Sequence, residues 1–356
     1  MPASPLPPAG HAGRAETGIA RAAGVRQPSG MEITCLGEPR FPSPLQHYFV
    51  DDRAQFLAHV VHRPGVRVPE DMTFELAGPR RRLFFDPQKT RAGIVTCGGL
   101  CPGLNNVIRS LFLELHHIYG VPEVLGFQFG YRGLDPANGL EPIVLDPEMV
   151  DDIHKQGGTV LGTSRGPVDL GVAVENLIRR QVNILFTVGG DGTQRGANAL
   201  FQEARKRGHA LSVVGIPKTV DNDVAFVSRT FGFLTAVEES CRVIDGAHME
   251  AHSVQNGIAI VKLMGRHAGF IAAGATVASQ DVNFCLIPEV PFRLEGPGGF
   301  LAVLKKRILN RAHAVIVIAE GAGQDLVEAG DTGRDASGNV KLKDVGLYLR
   351  DCIEAY

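Results

Sequence analysis

Short apolar runs that stop abruptly at glycine recur along this chain. Ile184 to Val188 is one of them, and it passes directly into Gly189-Gly190-Asp191-Gly192-Thr193. A strand covered on both faces needs no polar alternation, so this reads as a buried parallel strand ending in a ligand loop. A helical stretch from about Gln194 to Lys206 follows. A second run, Leu211 to Ile216, then delivers Pro217-Lys218-Thr219-Val220-Asp221-Asn222-Asp223. The pattern predicts a βαβ unit whose two loops leave the carboxyl ends of neighbouring strands, where open α/β sheets bind ligands.

The same grammar appears elsewhere. Arg91 to Thr96 is a Rossmann-like strand, Cys97 to Gly103 its loop, and Asn105 opens a helix whose apolar positions Val107, Ile108, Leu111, Phe112, Leu115 and Ile118 follow the helical period. Residues 231–252 read as a long helix. Ile258 to Leu263 and Ala314 to Ile318 read as buried strands, and the last residues lie in a helix. With 356 residues the chain suits two lobes, each with its own core. The boundaries expected are 91–230 and 231–356, preceded by a disordered segment 1–45 and an N-terminal embellishment 46–90.

Composition adds exclusions. The formal net charge of −2 gives no global bias towards nucleic acid or acidic membranes, and no run of 18 apolar residues spans a bilayer. A soluble, cytoplasmic protein is expected. Residues 1–30 are rich in Ala, Pro, Gly and Arg with Glu16 as their one acid, a composition that cannot bury a core. Being basic, that segment leaves plastid targeting open, with Met31 an alternative start. The six cysteines, at 35, 97, 101, 241, 285 and 352, lack metal-ligand rhythm and are expected to be reduced thiols. Arg80-Arg81-Arg82 reads as a solvated edge, with a phosphate-sensing or intersubunit role as the sharper alternative.

The loops carry the candidate chemistry. Glycines at 189, 190 and 192 let backbone N–H groups approach a polyphosphate. Asp191 supplies one hard oxygen, which suits Mg²⁺, since that ion keeps most of its positions for water and phosphate. The plainer alternative is a strand-to-helix turn capped by Asp191. Asp221 and Asp223 stand two apart beside Lys218 and Thr219, and alternate side chains of an extended loop share a face. One carboxylate can serve as general base while the other holds metal or orients a partner; the plainer alternative is a solvated Asx turn. The loop 97–103 precedes a helix N-terminus, an anion site, and is not GxGxxG.

Taken together, TCGGLCPGLN at 96–105, GGTVLGTSRG at 157–166, GGDGT at 189–193, PKTVDND at 217–223, KLMGRHAGF at 262–270 and IAEGAGQ at 318–324 resemble the phosphofructokinases. The likeness is closest to the plant and trypanosomal ATP-dependent branch and runs in order from about Gln46 to the last residue. It implies an α/β fold of two Rossmann-like lobes, with parallel-rich sheets flanked by helices and the active site in the cleft between them. The activity implied is Mg²⁺-assisted transfer of the γ-phosphoryl group of ATP to the 1-hydroxyl of fructose 6-phosphate.

By that resemblance Gly99, Arg165, Gly166, Gly190, Asp191, Gly192 and Thr193 bind ATP, and Asp191 also holds the metal. Asp221 is the base, with Arg165 and Lys218 neutralising developing charge. Thr219, Val220, Asp221, Asp223, Met264, Gly265, Arg266 and Glu320 meet the sugar phosphate. Tyr131 stands near the nucleotide in a looser match, because Phe129 replaces a small residue. His267, beside Arg266, has no metal-spaced partner and reads as structural.

Pyrophosphate-using relatives carry Asp at the position of Gly192, where its charge and bulk exclude the α-phosphate of ATP. Gly192 therefore favours ATP, although Lys218 is shared with those relatives. A pyrophosphate-dependent enzyme, a lipid or NAD kinase, and a catalytically silent subunit are the alternatives. The resemblance also implies a homo-oligomer, dimer or tetramer. Beyond the position of Tyr356 it implies a Lys-Tyr-Ile-Asp-Pro-Ser/Thr-Tyr segment, so the sugar-phosphate pocket is expected to be incomplete.

Overall fold

The computed structural model describes residues 35–57, 73–327, 333 and 340–356; the readings made for residues 1–30 and for Met31 lie outside them. Among the described residues, 51–77 belong to one compact unit and 35–50 with 78–356 to another. Four short strands come first: β1 (Phe41–Pro42), β2 (Gln55–Leu57), β3 (Thr73–Glu75) and β4 (Arg82–Leu83). In the first unit β2 and β3 pair antiparallel, and in the second β1 pairs antiparallel with β4. Residues 41–42, expected to be disordered, are thus held by backbone hydrogen bonds.

The second unit is built on two sheets. The larger has the order β7-β6-β5-β8-β9. Its strands are β5 (Arg91–Thr96), β6 (Glu123–Phe127), β7 (Ile143–Val144), β8 (Ile184–Gly189) and β9 (Ser212–Pro217). All its pairings are parallel except β7 on β6. The strand β5 is buried from Ala92 onward, as its unbroken apolar run requires. Ile94 faces α1 (Leu104–Leu113), where it meets Ile108 and Phe112, with α2 (Pro147–Val150) on the same side through Val150. Val95 faces the opposite layer, formed by α3 (Leu170–Arg179) and α4 (Asp191–Lys206) through Leu177 and Leu200. Each such side chain contributes about 1.5–3 kcal/mol on burial. Gly93 lies between, where a Cβ would come within 2.8 Å of the Phe127 ring.

The smaller sheet is wholly parallel, ordered β10-β12-β11. It consists of β10 (Gly257–Leu263), β11 (Phe284–Leu286) and β12 (His313–Ala319). Alternation along β12 sorts its faces. Val315, Val317 and Ala319 meet α5 (Phe233–Ser253) and α6 (Phe270–Ser279) through Ile244 and Ala272. Ala314, Ile316 and Ile318 meet α7 (Phe300–Arg311) and α8 (Val345–Ala355) through Leu304 and Leu349.

One boundary differs from the sequence reading in a way that matters to the chemistry. Helix α4 begins at Asp191, capped by Gly190, and not at Gln194. Asp191 is therefore neither a loop residue nor a cap but the acid of the first turn, a position the helix dipole favours. None of the six cysteines is in a disulfide. Among the described residues no helix is long and apolar enough to cross a membrane.

Candidate active site

Five loops leave the carboxyl ends of β5, β8, β9, β10 and β12 and come together. The loop after β5 turns at Gly98 and Gly103, both with positive φ. It is sewn to the 157–166 loop by the Gly98 N–H donating to Ser164 O at 3.0 Å and the Thr163 hydroxyl donating to Gly98 O at 2.7 Å. Asn105, buried at the start of α1, completes the seam: its Nδ2 donates to Gln156 O at 3.0 Å and its Oδ1 accepts from Val160 N–H at 2.8 Å. These contacts fix Gly99 beside Arg165, whose Nη2 would stand 3.7 Å from a Cβ there. Gly166 follows with φ +107°, a conformation that favours glycine.

Lys218 reaches into the same place from the end of β9. It is buried, and its Nζ donates to Gly99 O at 2.5 Å. Burial pulls its pKa below the ordinary lysine value, and the Arg165 guanidinium adds to that, against the opposing influence of Cys101 and Cys97. Both thiols are pushed up to about 11, chiefly by burial, so neither supplies a counter-charge at neutral pH. Two cations thus converge on a glycine loop, and among the described residues neither is in an ion pair with a carboxylate. That arrangement suits an anionic ligand.

The loop after β8 supplies the remaining pieces. Gly189 packs against Thr193, whose side chain occupies the place of a Cβ, and Thr193 O accepts from the buried Tyr131 hydroxyl at 2.6 Å. Gly190 lies against the Lys218 carbonyl, which a Cβ would meet at 3.6 Å, whereas a Cβ on Gly192 would meet nothing within 4 Å. The Asp191 carboxylate is exposed beside that open space and pairs with no described residue. A single hard carboxylate in the first turn of a helix, directly after the Gly189-Gly190 turn, fits a hydrated Mg²⁺.

The loop after β9 is not extended, as the sequence suggested. Asn222 stands at φ +58°, and its Oδ1 accepts from Thr230 N–H at 2.7 Å and from the Thr230 hydroxyl at 3.2 Å. The turn separates the two acids. Asp223, exposed, accepts from the Thr219 hydroxyl at 2.7 Å, and Thr219 Oγ1 in turn accepts from Asp221 N–H at 3.1 Å. Asp221 is turned inward, with Oδ1 buried and unpartnered. Burial pushes its carboxyl above the usual aspartate range and the Asp223 charge adds to this; the Arg266 backbone N–H opposes it, and Glu320 raises it further. Val220, between them, is half-buried.

Arg266 and Glu320 come from the smaller sheet, so the site joins both. Gly265, at φ +134°, turns the chain after β10, and its carbonyl accepts from Gly321 N–H at 3.0 Å. A Cβ on Gly321 would run into the Arg266 carbonyl. Glu320 N–H donates to Leu263 O at 2.9 Å, and Arg266 Nη1 donates to Val340 O at 2.6 Å. Met264 is 54% exposed at the rim. Sequence reasoning missed Asn105 and Asn222, since neither lies on an apolar period. The one available signal was Asn between two aspartates, a residue that tolerates the left-handed region.

Two parallel-rich sheets, with glycine turns, paired cations and a buried orphan carboxylate where their loops meet, define an α/β protein equipped to hold a phosphorylated ligand. The comparisons place it more narrowly: the phosphofructokinase model matches residues 91–353, and the chain belongs to that family. It is 49% identical over 329 residues to ATP-dependent 6-phosphofructokinase 7 of Arabidopsis thaliana, covering 89% of this chain and 66% of that protein. It is 47% identical over 320 residues to the ATP-dependent 6-phosphofructokinase of Trypanosoma cruzi, covering 87% and 65%. The chain thus spans about two thirds of the length of these relatives. Among solved structures, phosphofructokinase from Saccharomyces cerevisiae shares the fold at TM-score 0.58 and 24% identity, over 75% of this chain and 36% of that one.

Proposed function

We propose that this chain carries out Mg²⁺-assisted transfer of the γ-phosphoryl group of ATP to the 1-hydroxyl of fructose 6-phosphate. The observation that carries the reading is Asp221: a carboxylate whose inward oxygen has no partner, held where loops of both sheets meet. A buried acceptor left empty in the free protein is what a substrate hydroxyl would complete, and a raised pKa suits a group that must take a proton during turnover.

The donor lies along the glycine turns at 98–99 and 189–192 and against Thr193 and Gly166. Lys218 and Arg165 neutralise charge on the transferring group, whose negative charge spreads over several oxygens. Asp191 would hold Mg²⁺, which supplies further neutralisation of the donor phosphates when bound. On the acceptor side Thr219, Val220 and Asp223 shape the loop around the base, while Met264, Gly265, Arg266 and Glu320 receive the sugar phosphate. The room at Gly192, where a Cβ would meet nothing within 4 Å, leaves space for an α-phosphate and so favours ATP over pyrophosphate. A cytoplasmic homo-oligomer belongs to the same reading.

The test is fructose 1,6-bisphosphate formation by the purified chain, with ATP–Mg²⁺ and pyrophosphate–Mg²⁺ in parallel. Product with ATP alone is expected. Product with pyrophosphate alone would overturn the donor assignment, and no product with either from a chain that binds both substrates would overturn the activity.

A further inference from the structure

The turn that carries Asp191 has little of its own to hold it. Two glycines precede it, a third lies within it, and the Asp191 side chain is exposed. Glycine and aspartate rank low among helix formers, so a helix that starts this way frays unless something else fixes its first turn. Two side chains do so. Gln194 acts from within α4: its Nε2 donates to Gly189 O at 2.9 Å and to Ile216 O at 3.2 Å, joining the ends of β8 and β9. Tyr131 comes from another part of the chain, the single helical turn Gly130–Leu134 after β6. Its hydroxyl donates to Thr193 O at 2.6 Å.

We propose that Tyr131 is a positioning residue for the donor side of the site: acting through Thr193, it holds the Asp191-Gly192-Thr193 turn ready for a nucleoside triphosphate and its metal ion. The inference rests on the reading of Asp191 as the metal carboxylate.

The phenol is committed to this contact. It is buried, and burial, with a smaller push from Cys97, raises its pKa above the ordinary tyrosine value, so it stays a donor. The ring is fitted to the helix as well. A Cβ on Gly196 would come within 2.6 Å of Tyr131 Cε2, so α4 carries an interior glycine, a residue that weakens helices, where the ring lies against it.

The segment that presents Tyr131 is tied in turn to the 157–166 loop. Phe129 N–H donates to Leu161 O at 2.7 Å, and Phe129 O accepts from the Ser164 hydroxyl at 2.6 Å. Phe129 stands at φ +55°, a strained conformation for a bulky residue that persists only where its surroundings impose it. On the other side Asn176 Nδ2 donates to Leu134 O at 2.9 Å. Tyr131 therefore links the loop that bears Arg165 to the turn that bears Asp191, and the cation and the carboxylate keep a fixed relation. Core packing alone asks for none of this: phenylalanine fills the same space without a donor.

The experiment is Tyr131→Phe, which keeps the ring and removes the hydroxyl. In the ligand-free chain, amide exchange at Gln194, whose N–H donates to Gly190 O at 3.0 Å, should quicken by about fivefold or more while exchange in the strands stays unchanged. Affinity for ATP–Mg²⁺, read by calorimetry without the second substrate, should fall by about tenfold, with KM for fructose 6-phosphate unchanged. Gly196→Ala keeps the hydroxyl and favours the helix but displaces the ring, and it should reproduce both changes. Unchanged exchange at Gln194 with unchanged ATP–Mg²⁺ affinity in Tyr131→Phe would overturn the proposal. So would exchange that quickens evenly throughout the chain, the mark of a merely structural residue. Neither readout needs turnover: a parent chain that binds ATP–Mg²⁺ and fructose 6-phosphate yet makes no product refutes the proposed function, while exchange and affinity in the variants still decide the role of Tyr131.

Discussion

At the scale of single residues the site stores two uncompensated charges. Lys218 is a buried ammonium that donates to the Gly99 carbonyl, and Asp221 is an inward carboxylate with an orphan oxygen. Each costs stability in the free protein and gains a partner when substrate arrives. For Asp221 the sign is definite. Its folded pKa lies above the unfolded value of 3.8, so ionising it destabilises the fold once the pH exceeds that value, and the burden persists at neutral pH. Asp221→Asn should therefore reduce turnover by about 10²–10⁴-fold while raising Tm at pH 7 by about 1–4 °C. The gain in Tm should vanish in acid, where the parent's carboxyl is protonated in both states. Turnover near the parent's would remove Asp221 as base; a lowered Tm at pH 7 would show that its ionised form is stabilised by contacts beyond those seen. In the parent, the acid limb of kcat/KM should fall at a pH above the range of an ordinary aspartate.

At the scale of elements the loops are held less by secondary structure than by asparagines. Asn222 fastens the turn that separates Asp221 from Asp223 and gives buried Thr230 its acceptor. Asn222→Ala should cost about 1–3 kcal/mol through the unsatisfied Thr230 N–H, with a further penalty for a left-handed alanine. Asn222→Gly relieves only the second part and should fall between. Denaturant melts give the order directly, and KM for fructose 6-phosphate should rise in the same order; equal stability of all three would deny the turn its role.

The strands that frame these loops were legible because covered strands announce themselves: β5, β8, β10 and β12 are mostly apolar runs with a glycine at the last residue or two residues beyond it. Other elements left no such trace. With three residues, β11 is too short to show a period, and nothing local marks β7 as the antiparallel edge. The start of α4 was misplaced because Asp191-Gly192 has low intrinsic helix propensity; the dipole and the Gly190 cap prevailed over it. The candidate site was legible as a set of loops, while its seams were not: Asn105 joins segments 51 and 55 residues apart, and Asn222 closes a turn onto Thr230, eight residues on, and periodicity connects neither.

At the scale of the molecule the two sheets divide the work. Loops of the five-stranded sheet carry the glycine turns, Arg165 and Asp191; the three-stranded sheet offers Gly265, Arg266 and Glu320. A change on one sheet should then disturb one substrate. Gly192→Asp places a carboxylate in the open space beside Asp191, and repulsion should lower kcat/KM for ATP by more than about tenfold with KM for fructose 6-phosphate unchanged. Arg266→Gln removes a guanidinium from the acceptor side and should raise KM for fructose 6-phosphate by about 10–100-fold with KM for ATP unchanged. If the sheets act as separate platforms, the losses in the double variant multiply to within about twofold, the additivity expected of sites without shared partners. Asp221 is placed to break that independence, since it lies in the loop after β9 of one sheet and takes a backbone hydrogen bond from Arg266 of the other. Losses that fail to multiply in Gly192→Asp with Arg266→Gln would mean that donor and acceptor are sensed jointly, and the same cycle repeated in Asp221→Asn would show whether that contact carries the coupling.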